Sequence, residues 1–159
     1  MFAGSPVGLA VRPSAAAELA LAERRGLKAY QEKIRPEQLA AIQAAAGTPI
    51  EVEVHWEKLA SRGYGQRFLE PDWFTDIYFV PLAKALAEVG RDEIGLEAIK
   101  AKLQRIVVTF DDATAPVSSY ENGLRFEAGT LVINFRPGEN ASDIDWRVQA
   151  IVALLEKSL

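Results

Sequence analysis

The sequence predicts a single α+β domain, with a small mixed or antiparallel sheet of about four strands flanked by helices. Three observations carry this. Residues 14–46 are rich in alanine and leucine with apolar positions at helical spacing, residues 50–57 alternate strictly between apolar and polar, and a β-rich stretch from Ile106 to Phe135 precedes a closing amphipathic segment. The order helix-helix-strand-helix-helix-strand-strand-strand-helix belongs to the α+β class, with an N-terminal helical pair and a C-terminal helix. At 159 residues, 49% hydrophobic and 25% charged, the chain matches one ordinary globular domain. Such a domain buries roughly 70% of its unfolded surface.

Residues 1–13, with glycine, proline and small side chains, read as a flexible lead-in, and the domain is expected over 14–159. Ser14 is placed to cap a first helix carrying Leu19, Leu27, Tyr30 and Ile34. Pro36 is expected to end that helix and open a second, with Leu39 and Ile42 inward and Gly47 at its left-handed stop. Next comes the clearest strand: Ile50, Val52, Val54 and Trp56 face the core, and Glu51, Glu53, His55 and Glu57 face away. Residues 61–68 read as a glycine-punctuated loop.

Pro71-Asp72 starts a helix on which Phe74, Ile77, Tyr78, Leu82, Ala85, Leu86 and Val89 share a face. Pro81 lies too deep in it to be neutral and predicts a kink or a split near Phe79. Asp92 caps a further helix with Ile94, Ala98 or Ile99, and Leu103 inward. Ile106, Val108 and Phe110 form a strand, a polar loop spans 111–123, and Ala128-Gly129 joins two strands as a hairpin. Ser142 with Asp145 resembles a capping box for a last helix that buries Trp146, Val148 or Gln149, Ile151, Val152 and Leu155.

The chain holds one histidine, His55, and no cysteine. A cysteine nucleophile, a thiolate metal site, a multi-histidine centre and a disulfide framework are thereby excluded, and any serine-type triad has to run through His55. The formal charge of −4 comes without a basic stripe, so nucleic acid is not an expected partner. No apolar run reaches the roughly 20 residues of a membrane span, and no signal-like n-region precedes the first apolar stretch. Cytoplasmic residence is the resulting expectation.

His55 with Glu53 and Glu57 shares a strand face and forms the only constellation with metal-ligand character, but one histidine makes a poor site. Asp111-Asp112, Asp143 with Asp145, and Asp92-Glu93 read as loop and cap residues, so no catalytic residue, metal or cofactor is assigned. Gly63-Tyr64-Gly65 lacks the pattern of a phosphate cradle. The richest surface candidate is the aromatic stretch from Tyr64 to Phe79 with its neighbouring arginines, because rigid rings and guanidinium groups dominate binding hot spots. Tyr64, Arg67, Trp73 and Tyr78 are the expected contact residues.

The function these features suggest is binding another protein, as a regulator, adaptor, chaperone or toxin-neutralising factor, with a basic partner favoured by the acidic charge. A homodimer through the N-terminal helices is compatible with that. The alternative is a small-ligand site or an enzyme pocket built from carboxylates, tyrosines and arginines, with Tyr64, Arg67, Tyr78 and His55 as its members.

Overall fold

A computed structural model describes residues 19–159. The expectations for Ser14 and for residues 1–13 lie outside the described residues. The first helical unit comprises α1 (Leu21–Ala29), a wider π-type turn at Tyr30–Ile34, and α2 (Arg35–Ala46), which stops on Gly47 at φ 70°. Strand β1 (Glu51–Val54) follows, then a helical turn at Trp56–Leu59 and a 3-10 segment at Tyr64–Leu69. A turn at Asp72–Phe74 and a second π-type turn at Thr75–Phe79 lead into α3 (Val80–Val89). After α4 (Glu93–Lys102) come β2 (Arg105–Thr109), β3 (Leu124–Glu127), β4 (Thr130–Asn134) and α5 (Ile144–Ser158).

The architecture is α+β with a four-stranded mixed sheet in the order β1-β2-β4-β3. β1 and β2 are parallel, β2 and β4 are parallel, and β3 pairs antiparallel with β4. The hairpin forms where expected. Ala128 and Gly129 both adopt positive φ, 50° and 82°, as a two-residue turn of this hand requires. Val52, Ile106, Val108, Leu131 and Ile133 point into one core shared with the helices. Among the described residues no helix is long and apolar enough to cross a membrane.

Both internal prolines are absorbed rather than breaking their helices, which corrects the expected break at Pro36. A proline cannot donate to the carbonyl four residues back, and its ring collides with that carbonyl. Widening the preceding turn by one residue removes the conflict. Arg35 N–H reaches back to Tyr30 O, and Val80 N–H to Thr75 O, immediately before Pro36 and Pro81. The two widened turns face each other: the Tyr30 hydroxyl lies 2.8 Å from Thr75 Oγ1. Burial pushes the Tyr30 phenol well above its ordinary pKa, so the hydroxyl stays neutral.

Five further expectations change. The first strand ends at Val54, so Trp56 and Glu57 belong to a helical turn, and the loop expected at 61–68 contains the 3-10 segment. Ile94 is 83% exposed, while Ile99 and Leu103 are buried as expected. Trp146 is 67% exposed, and its neighbour Arg147 is buried instead. Ser142 does not cap α5, whose N-cap residue is Asp143, with no side-chain cap bond. The Asp143 carboxylate accepts from the Tyr120 hydroxyl at 2.8 Å. By contrast, Asp92 caps α4 through Gly95 N–H at 2.8 Å.

Replacing Tyr30 by Phe keeps the ring packing and removes one buried hydrogen bond. Thr75 Oγ1 retains its bond to Pro71 O. The expected loss is about 1 kcal/mol of unfolding free energy, read by chemical denaturation with an unchanged m-value.

Candidate functional site

Among the described residues the helices cover one face of the sheet. On the other face the register aligns Glu51 with Arg105 and Thr130, and Glu53 with Val107 and Val132. Arg125 and Glu127 of β3 continue those two rows. Of these, Glu53, Arg105, Val107, Arg125, Thr130 and Val132, with His55, Lys58, Thr109, Asp111, Thr114 and Asn134, line an open depression of ≈ 380 Å³. Its floor is apolar: Val107, only 7% exposed, lies beside Val132. Its walls are charged and polar.

A hydrogen-bonded chain crosses this face. His55 Nε2 is 2.6 Å from Glu53 Oε2, and Nδ1 is 2.9 Å from Thr109 Oγ1. The other Glu53 oxygen is held by Arg105, whose guanidinium also lies 3.8 Å from Glu51. His55 takes its position where β1 ends, its own N–H donating to Val108 O at 2.9 Å. The hydrogen bonds from His55 and then Arg105 hold the Glu53 carboxyl below its ordinary range. In the tautomer with Nε2–H donating to the carboxylate, Nδ1 accepts from the Thr109 hydroxyl.

Glu53 and His55 thus meet as the alternation predicts, whereas Glu57, carried off on the helical turn, does not join them. Thr109 is the residue that sequence reasoning missed. The signal was present in the polar positions of Arg105-Ile106-Val107-Val108-Thr109, but linking Thr109 to His55 requires the parallel register of β1 and β2.

Hydroxyl, imidazole and carboxylate in series is the connectivity of an activated nucleophile. Efficient acyl transfer also needs a water-poor site and donors aimed at the developing oxyanion. Here the His55 and Glu53 side chains are 32% and 38% exposed, and Arg105 ties down the carboxylate. The chain of bonds fixes a surface in place, which suits recognition. Among the described residues no group of three His, Asp or Glu side chains converges to hold a metal ion.

The aromatic stretch is placed differently. Tyr78 is fully buried, with its hydroxyl donating to Phe135 O at 2.7 Å and burial raising its pKa. It therefore has no surface to offer, because Phe74 and Phe135 stack beside it. Phe68 stacks on Phe74 at 3.9 Å, again inside the core. Tyr64, Arg67 and Trp73 form an outer strip. Tyr64 lies edge-on to Phe110 at 5.6 Å, and the Arg67 guanidinium sits 4.1 Å from the Trp73 ring and 3.3 Å from Glu70.

A second polar cluster supports the loops beside the sheet. Asp112 bridges Arg62 and Arg136, each at 2.6 Å, and these contacts, Arg136 first, lower its pKa. Arg136 also donates to the carbonyls of Asp112 and Ala115. Arg147, buried under α5, donates to Asn140 O and Glu139 O and lies 4.4 Å over the Tyr120 ring. Burial lowers its pKa. These arginines act as clamps on loops 111–123 and 136–143.

Comparison with known protein families, characterised proteins and solved structures gives no match. The functional reading therefore rests on the geometry.

Because the Glu53 carboxyl titrates lower in the folded chain, its contribution to stability is complete above its unfolded value of about 4.5. It is lost as pH falls through the folded value. The Glu53→Gln protein is expected to melt lower than wild type at neutral pH. The two melting temperatures should converge on acidification below that window, as read by thermal scans across pH.

Proposed function

We propose that this chain is a non-catalytic protein-binding domain whose contact surface is the helix-free face of its sheet. The observation that carries this is an apolar centre, Val107 with Val132, enclosed by a rim of Glu53, His55, Arg105 and Arg125. Protein interfaces are built that way, with a dry centre inside a polar rim. The bonds among Thr109, His55, Glu53 and Arg105 hold the rim side chains before any partner arrives, so less rotamer entropy is lost on docking. Both signs of charge occur on the rim, which favours orientation of the partner. The overall charge of −4 steers a basic one toward the molecule.

The ≈ 380 Å³ of the depression falls within the rough range of small-ligand sites, about 300–1,000 Å³. Such sites enclose most of their ligand between apolar walls, however, and this one is broad, open and polar-walled. A large flat partner fits it better. Tyr64, Arg67 and Trp73 supply a secondary contact strip in the same reading, and regulator, adaptor, chaperone or neutralising roles all use a surface of this kind.

The test uses Val132→Asp and Arg125→Glu proteins beside wild type in quantitative capture from native lysate, with thermal melts as the fold control. Partner retention is expected to fall roughly tenfold for each, equivalent to about 1.4 kcal/mol, with the melting temperature nearly unchanged. Equal retention by wild type and both variants overturns the assignment of this face.

A further inference from the structure

The edge of the sheet is as informative as its face. β1 is an outer strand, hydrogen-bonded on one side to β2 alone. The bond from His55 N–H to Val108 O, with the parallel register Val54 to Val108, fixes the direction of each β1 amide. In a parallel ladder alternate residues bond to the same neighbour. Glu51, Glu53 and His55 therefore use β2, and the N–H and C=O of Val52 and Val54 point outward. Among the described residues nothing bonds to those four groups. Unpaired strand edges are templates for pairing with another chain.

The surroundings of this edge are laid out for an added strand. On the helix side, a groove of ≈ 600 Å³ begins at Val54 and is lined by Leu27, Gln31, Trp56 and Lys58. A narrow gap between Val52, Val54, Leu39 and Phe79 continues it. On the open-face side, the nearest side chains of β1 are the carboxylates of Glu51 and Glu53. Arg105 and His55 already engage both Glu53 oxygens, whereas the Glu51 side chain is 68% exposed and only loosely paired with Arg105. A residue placed opposite Glu51 from outside thus meets a free carboxylate.

This pattern also rules on what the occupant is. A second copy pairing β1 to β1 across a two-fold sets glutamates beside glutamates, and like charges at adjacent strand positions destabilise. We propose that β1 accepts an extended segment of the partner protein by strand addition, with apolar side chains entering the groove and basic side chains lying against Glu51. Main-chain bonds to Val52 and Val54 supply affinity, and the alternating side chains supply selectivity. The proposal rests on the protein-binding reading above and names the chemistry of the partner.

The experiment measures amide hydrogen exchange of the full chain by NMR with a synthetic Lys-Val-Lys-Leu-Lys-Val peptide, blocked at both ends. The expected result is roughly tenfold slower exchange at Val52 and Val54 at saturating peptide. The same peptide N-methylated at alternate positions should have no effect. A Glu51→Lys protein should bind the basic peptide roughly tenfold more weakly and should favour its Glu-Val-Glu-Leu-Glu-Val counterpart. Unchanged exchange at Val52 and Val54, or equal action by the N-methylated peptide, overturns strand addition. Loss of partner retention in Val132→Asp alongside unchanged edge exchange leaves the face assignment standing while removing this inference. The two failures are thereby separable.

Discussion

The contact between the two widened helical turns organises the whole helical layer. Tyr30 and Thr75 begin those turns, and their side chains meet at 2.8 Å. Around this point the Tyr30 ring lies within 5.6 to 6.2 Å of Trp56, Phe68, Phe74 and Phe79. Rings at such spacing gain orientation-dependent attraction beyond area burial. Each proline directly follows the widened turn that relieves its clash, so the two bulges and the contact between them lie at the start of α2 and α3.

That hub decides where function is found. With Phe68, Phe74, Tyr78 and Phe79 drawn inward, the aromatic stretch becomes the core's interior wall, and Tyr64, Arg67 and Trp73 remain at its margin. Among the described residues the helices press on one side of the sheet, and the other side carries Glu51, Glu53, Arg105, Thr109 and Arg125. The exposed polar face follows from single-sided packing together with the apolar-polar alternation of β1 and β2.

Much of this was legible in the residues. The alternation of Glu51-Val52-Glu53-Val54, the Ala128-Gly129 hairpin, the cap at Asp92 and the stop at Gly47 are local devices and appear where local chemistry places them. What was not legible depends on remote partners. The conflict at Pro36 and Pro81 was visible, but its resolution by bulging depends on packing between distant helices. The rotation of α5 turned Arg147 inward and Trp146 outward because the guanidinium found Tyr120 and two loop carbonyls. Helical periodicity cannot choose between neighbouring residues when the deciding contact is a cation over a ring. Thr109 escaped notice for the same reason: its role exists only once β1 lies parallel to β2.

The sheet's wiring has a temporal consequence. β3 and β4 are joined by two residues and can zip together locally, on the microsecond scale of isolated hairpins. Every other pairing is parallel and unites segments distant in sequence, β1 and β2 across the helices between them and β2 and β4 across a loop and β3, so its closure entropy must be met before any ladder forms. The closure cost is therefore smallest at the hairpin and largest for β1, which lies furthest in sequence from its partner strand.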